Sequence, residues 1–187
     1  MSDKKLIGSL PIVPVKKCSC LANAKAGELK PSLLRPIEKG GRLHQCAADA
    51  YEAMDAAANA AGIDLSPTSP ADTYRSLEMQ ETAFFQRYTT TPKNKELKKQ
   101  KPKIYQGKAW YLKKGMAPLA VPGTSNHNWG IAVDIANASG KRLEWLAANA
   151  PLYGFSWEVL PQEPWHIRYV AGDAVPEAVK AWKKAQA

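Results

Sequence analysis

Ser125-Asn126-His127-Asn128-Trp129-Gly130-Ile131-Ala132-Val133-Asp134 begins as a turn and ends as a strand. Ser125 and Asn126 can brace the turn with side-chain hydrogen bonds. From Gly130 the residues alternate: Ile131, Val133 and Ile135 share one face, Ala132 and Asp134 the other. His127 precedes Asp134 by an odd spacing, so a continuous strand would put them on opposite faces. They converge only if the chain bends between them, and Gly130 permits that bend. A second segment, Glu163-Pro164-Trp165-His166, enters another strand over 165–170, on which His166 and Arg168 share a face. If that strand lies beside the Asp134 strand, His127, Asp134 and His166 meet. Two imidazoles and a carboxylate suit a catalytic zinc site, which needs three protein ligands and an open fourth position. The chain has only 3 His, and two of them are here.

Outward from these strands, helices come first and strands cluster late. Arg42–Ala61 reads as an alanine-rich helix with an apolar stripe, closed by Gly62. Residues 63–68 read as a short strand, stopped by Ser69-Pro70. Residues 77–88 form a second helix. Ile104-Tyr105 and Ala109–Leu112 flank Gln106-Gly107-Lys108 as a hairpin. Residues 141–149 form a short helix, 154–157 a strand, and 176–185 a helix opened by Pro176. The expected fold is α+β: a small antiparallel sheet carries the metal site, helices flank it, and residues 1–40 form an extended N-terminal arm to a domain of residues 41–187.

The composition is that of a globular domain: 187 residues, 45% hydrophobic and 23% charged. No run approaches the ~18 apolar residues of a membrane helix, so stable membrane insertion is not expected. Residues 1–15 lack the pattern of a secretory signal, so synthesis in the cytoplasm is expected, with release by other means if the protein acts outside it. The net charge of +9 favours an anionic partner. Six lysines fall within residues 93–103, read as a solvated loop. A nuclease would need phosphate-clamping residues near the metal, and no such motif is present, so nucleic acid is not an expected partner. Cys18 and Cys20 lack the spacing of a zinc ribbon and read as free thiols, Cys46 as a small buried residue, and His44 as structural.

The chemistry follows from the side chains. Zinc brings the pKa of bound water to about 7. Glu163, a carboxylate outside the ligand set, can take a proton from attacking water and pass it to a leaving amine. Negative charge on the tetrahedral intermediate calls for a fixed cation. Arg75 is the first candidate and Arg168, also a candidate substrate contact, the second. Ser125 is a turn brace and candidate substrate contact; no spare His is present to make it a nucleophile.

Ser-x-His-x-x-Gly-x-Ala-x-Asp followed by Glu-x-x-His resembles the signature of the LAS zinc peptidases: D-Ala-D-Ala dipeptidases, D,D-carboxypeptidases and phage L-alanyl-D-glutamate endopeptidases. Tyr74-Arg75-Ser76…Gln80 resembles a further element of that family, with Asp72-Thr73 where Ser-Gly is usual. The resemblance covers roughly residues 42–170. It implies zinc, one ion per chain, on His127, Asp134 and His166, with Glu163 as base and Arg75 at the transition state. It also implies peptidoglycan as substrate. With the basic charge and no leader, a phage endolysin released through a holin is the expected setting. The alternatives are a D-Ala-D-Ala carboxypeptidase or dipeptidase of wall remodelling, and a non-catalytic wall-binding protein, which would have no need of Glu163.

Overall fold

A computed structural model describes residues 2–92, 97 and 99–187. Its elements are α1 (Asp3–Ile7), β1 (Leu34–Pro36), β2 (Arg42–His44), α2 (Gln45–Ala60), α3 (Leu77–Arg87), β3 (Tyr88–Thr89), β4 (Lys103–Tyr105), β5 (Lys108–Leu112), β6 (Ala132–Asp134), α4 (Gly140–Asn149), β7 (Phe155–Trp157), β8 (His166–Tyr169) and α5 (Glu177–Gln186), with short 3-10 turns between them. Three small antiparallel sheets run in the orders β1-β2, β3-β5-β4 and β6-β8-β7. This is the expected mixture of helices and small antiparallel sheets.

α2 is the helical centre of the core. It buries Ala47, Ala50, Tyr51, Met54 and Ala58, a three-four repeat of small and large side chains. It starts later than the sequence suggests, because residues 42–44 pair with β1 and His44 caps the helix. Gly62, with φ +71°, follows its last turn, and the Gly62 N–H returns to the Asn59 carbonyl. Trp157, Phe155, Ile167 and Tyr169 from the β6-β8-β7 sheet join the same core. Each such buried side chain contributes roughly 1.5–3 kcal/mol.

The arm is built into this core. Leu10, Cys18, Leu21, Leu29, Leu34 and Ile37 are all buried in it. Ile12 and Lys16 form parallel bridges to Trp157 and Ala171. The Ser156 hydroxyl donates to the Pro11 carbonyl at 2.6 Å and accepts from Val13 N–H at 3.0 Å. The hairpin forms as expected, with Gln106 and Gly107 at φ +50° and +71°, the pair of positive φ angles a tight two-residue turn needs.

Residues 63–68 do not form the expected strand. They run as irregular chain that meets the end of β6 and the residue after it, through a bridge from Pro67 to Ile135 and bonds such as Thr68 N–H to the Asp134 carbonyl at 2.8 Å. Pro67 has no N–H to extend a ladder, and Pro70 ends the run. Of the lysine-rich segment, residues 93–96 and 98 lie outside the described residues. No helix among the described residues is long and apolar enough to cross a membrane.

Candidate metal centre and cleft

Sheet register places the first two donors. β6 and β8 pair antiparallel with Asp134 directly opposite His166, and directly opposed residues project from the same side of a sheet. His166 Nδ1 stands 2.7 Å from Asp134 Oδ1. The third donor arrives by the bend. Residues 126–129 form a 3-10 turn, and Gly130 ends it in the left-handed region at φ +64°. No other residue fits there: a Cβ on Gly130 would lie 2.7 Å from the His44 backbone nitrogen. Ser125 braces the turn as its N-cap, its hydroxyl accepting from the His127 N–H at 3.2 Å. His127 Nε2 is thereby carried to 3.4 Å from the same Asp134 oxygen.

These three residues offer donor atoms all within 4.8 Å of one another. The donors fit a divalent cation. His127 Nδ1 is 2.8 Å from the Thr73 carbonyl, which can only accept, so Nδ1 carries the hydrogen. In the neutral ring the Nε2 lone pair then faces a carboxylate oxygen, and a cation between them resolves that opposition. Burial favours the neutral acid at Asp134, yet hydrogen bonds from His127 and His166 hold its carboxyl well below the ordinary range. Burial opposes charge on His166 too, but Asp134 and Glu158 raise it to about 9.

Glu158 is a neighbour that motif spacing missed. Its Oε2 lies 3.2 Å from His166 Nε2 and accepts from Asn126 Nδ2 at 2.7 Å. The hydrogen bond to His166 is the main reason its carboxyl falls to about 2. It follows directly after the end of β7, beside β8, and a register between those strands was the only signal for it.

The donors open on a cavity of about 400 Å³ whose wall includes Glu163, Arg75 and Ser125. Arg75 is held from three sides: Nε donates to the Ala71 carbonyl, Nη1 to Gln80 at 3.0 Å and Nη2 to Asp72 at 3.0 Å. Asp72, at the position where the sequence departs from the usual Ser-Gly, is thus a partner of Arg75. The Arg75 backbone joins the turn that carries His127, since Arg75 N–H donates to the His127 carbonyl and Asn128 Nδ2 to the Arg75 carbonyl. Arg87 and Lys103 line the same cavity.

Arg168 is set behind the cavity wall, with Nε 3.9 Å from Glu158 Oε2. It shares the strand face of His166, but Nη1 donates to the Trp157 carbonyl and Nη2 to the Val13 carbonyl at 3.0 Å. It is 6% exposed and is not among the residues lining the cavity. The arm crosses β7 where substrate contact was anticipated, so Arg168 fastens arm to sheet.

The VanY family profile, described as D-alanyl-D-alanine carboxypeptidase, matches residues 40–172. The chain belongs to the VanY family. Those residues take in every donor and cavity residue named above. A D-alanyl-D-alanine carboxypeptidase of Enterococcus faecalis is 36% identical over 106 residues, 46% of this chain; the match spans only 39% of that relative. Among solved structures, VanYB in complex with D-alanine-D-alanine is 25% identical, with TM-score 0.51, covering 81% of this chain and 83% of its own. A vancomycin-resistance D,D-pentapeptidase VanY in complex with Zn(II) shares the fold at 22% identity and TM-score 0.53, with 93% of each chain covered.

Proposed function

We propose that this VanY-family chain is a zinc-dependent D,D-carboxypeptidase that removes the terminal D-alanine from peptidoglycan stem peptides. The observation that carries this reading is the His127–Asp134–His166 cluster opening on a cavity that also holds Glu163 and Arg75. Family membership and the D-alanine-D-alanine bound by VanYB support the substrate class.

Bound at these three residues, zinc would supply Lewis acidity and a water made acidic near pH 7. The chain's own groups do the rest. Glu163 takes the proton of the attacking water and delivers it to the leaving amine of D-alanine. Arg75, held in place by Asp72 and Gln80, presents its remaining N–H donors to the oxygen that becomes negative. Arg87 and Lys103 supply positive charge on the cavity wall, a match for the free carboxylate that an exopeptidase must recognise. Thr73 and Asn128 keep the metal-bearing turn in position.

The relatives give no support to a host-lysis role or a holin partner. Mass spectrometry of defined muropeptides tests the reading. A pentapeptide stem shortened by one D-alanine, with cross-linked dimers intact, is the expected result. Cleavage of dimers, or between L-alanine and D-glutamate, would replace it with an endopeptidase. No zinc-dependent product from any muropeptide would leave a non-catalytic wall-binding protein.

A further inference from the structure

The three cysteines and the remaining histidine form a second cluster, apart from the residues that line the cleft. Cys18 and Cys20 flank the start of a 3-10 turn in the arm, Ser19–Leu21. His44 caps α2 and Cys46 lies in its first turn. Ligand atoms from Cys18, Cys20, His44 and Cys46 all lie within 4.8 Å of one another. Cys20 Sγ is 3.2 Å from His44 Nε2. Donors about 2.1 and 2.3 Å from a tetrahedral zinc ion stand about 3.6 Å apart, so this spacing is close to a coordination shell.

We propose that Cys18, Cys20, His44 and Cys46 bind a structural zinc ion that pins the N-terminal arm to the start of α2. The geometry supports a closed site in several ways. Four protein donors complete a tetrahedron and leave no position for water, which is the arrangement of structural rather than catalytic zinc. Three thiolates with one imidazole select a soft-accepting metal over magnesium or calcium. His44 is fully buried and Cys18 nearly so, while Cys20 faces solvent and leaves a route for entry. The cluster caps the N-terminus of a 16-residue helix, whose dipole favours negative charge there. Gln45 Nε2 lies 3.9 Å from Cys20 Sγ, placed to donate to that sulfur. The cap contact from Cys46 N–H to His44 Nδ1 is weak, at 3.4 Å; zinc on Nε2 would move the ring hydrogen to Nδ1 and give up that contact. On binding, zinc displaces three thiol protons and accepts a lone pair from the neutral imidazole.

The site has a consequence for the cleft. The His44 N–H donates to the Gly130 carbonyl at 2.8 Å, and Gly130 closes the turn that carries His127. Zinc on His44 therefore stiffens the backbone under the first donor of the other centre. This inference stands independently of the peptidase reading.

The test uses the full chain purified under reducing conditions. Metal analysis of the wild type is expected to give two zinc ions per chain, and His166→Ala one. Replacing zinc with cobalt in His166→Ala is expected to retain the intense thiolate-to-cobalt charge-transfer absorption. Cys20→Ser, at the solvent-facing ligand, is expected to lose that absorption and one zinc ion while keeping the His127–Asp134–His166 site loaded. In the wild type, a thiol reagent is expected to react slowly until a chelator is added. The proposal is overturned if the cobalt protein lacks the thiolate band, or if the exposed Cys20 thiol reacts at the same rate with and without chelator. It is overturned equally if the intact mass shows a Cys18–Cys46 disulfide. Failure of the catalytic centre alone would appear as loss of muropeptide cleavage with the thiolate band unchanged.

Discussion

Asp134 and His166 are direct cross-strand partners, and the 2.7 Å approach of His166 Nδ1 to Asp134 Oδ1 is a product of that register. A slip by one residue would turn one of the two away from the other. The centre therefore depends on a β-ladder more than on either residue's local sequence, and it stands on a sheet whose other face is core. Asp134→Ala is expected to abolish bound zinc at this centre and muropeptide cleavage together, with the fold retained by circular dichroism. Zinc still bound at full stoichiometry would exclude Asp134 as a ligand.

On the proposed mechanism, substitution of Glu163 separates metal binding from chemistry. Glu163→Gln is expected to keep the zinc content and substrate affinity while kcat falls ~10²–10⁴-fold, the usual contribution of a positioned acid–base group. An unchanged kcat would move the proton-transfer role to another carboxylate, with Glu158, 3.2 Å from His166 Nε2 and outside the donor set, the next candidate.

For Arg75, the expected loss is in kcat, by ~10²–10³-fold, in both Arg75→Ala and Arg75→Lys. Lysine restores charge but cannot reproduce the three-way hold by Ala71, Asp72 and Gln80. Steady-state kinetics on a pentapeptide stem decides it; full rescue by lysine would show that charge alone matters.

Metal loading and metal-free stability have opposite pH dependences. His166 in the metal-free protein is raised to about 9 from an ordinary 6.5. The stability gained from its charged form is complete below the ordinary value and is lost as pH rises through about 9. Zinc needs the neutral ring, so loading improves over that same rise and releases a proton below it. Calorimetry of zinc binding to the apo Cys20→Ser protein, in which the cysteine cluster is disabled, in buffers of different ionisation enthalpy is expected to show more protons released at about pH 7 than at about pH 10. Equal release at both would place no titrating His at the centre.

Arg168→Met is expected mainly to destabilise the fold, with a smaller effect on catalysis through the lost ion pair to Glu158. The carbonyls of Trp157 and Val13 lose their donors, at ~1–3 kcal/mol for each buried group left unsatisfied. Denaturant unfolding with kcat and KM measured on the folded protein checks this. A raised KM at unchanged stability would return Arg168 to substrate binding.

Gly130→Ala strains the centre from beneath. The position has φ +64° and no room for a Cβ beside the His44 nitrogen. A loss exceeding ~1 kcal/mol is expected, and each kcal/mol lowers Tm by roughly 2–4 °C in a domain of this size. Thermal unfolding with Gly130→Ala as stable as wild type would show that the turn can relax.

Much of this was legible in the residues because it depended on local rules. The alternation of 131–135 marked a strand face, Gly130 marked the bend before it, and the Ala-rich run marked α2. Hairpin chemistry at Gln106-Gly107 is similarly local. Spacing along one strand put Arg168 with His166, and both reach Glu158, but the hydrogen bonds of Arg168 go to the Trp157 and Val13 carbonyls and not into the cavity. The arm covers that end of the face, and nothing in residues 10–16 announces where the arm will lie.

Residue type and order settled which atoms could take part: two imidazoles, two carboxylates and a guanidinium within recognisable patterns. Folding settled which of them meet. Glu158 beside His166, Asp72 beside Arg75, and two cysteines of the arm beside His44 and Cys46 are each contacts between segments distant in sequence or turned toward each other by packing. Side-chain periodicity reports the face a residue occupies on its own element. It contains no information on which other element will be laid against that face, because that depends on burying apolar surface over the whole chain at once.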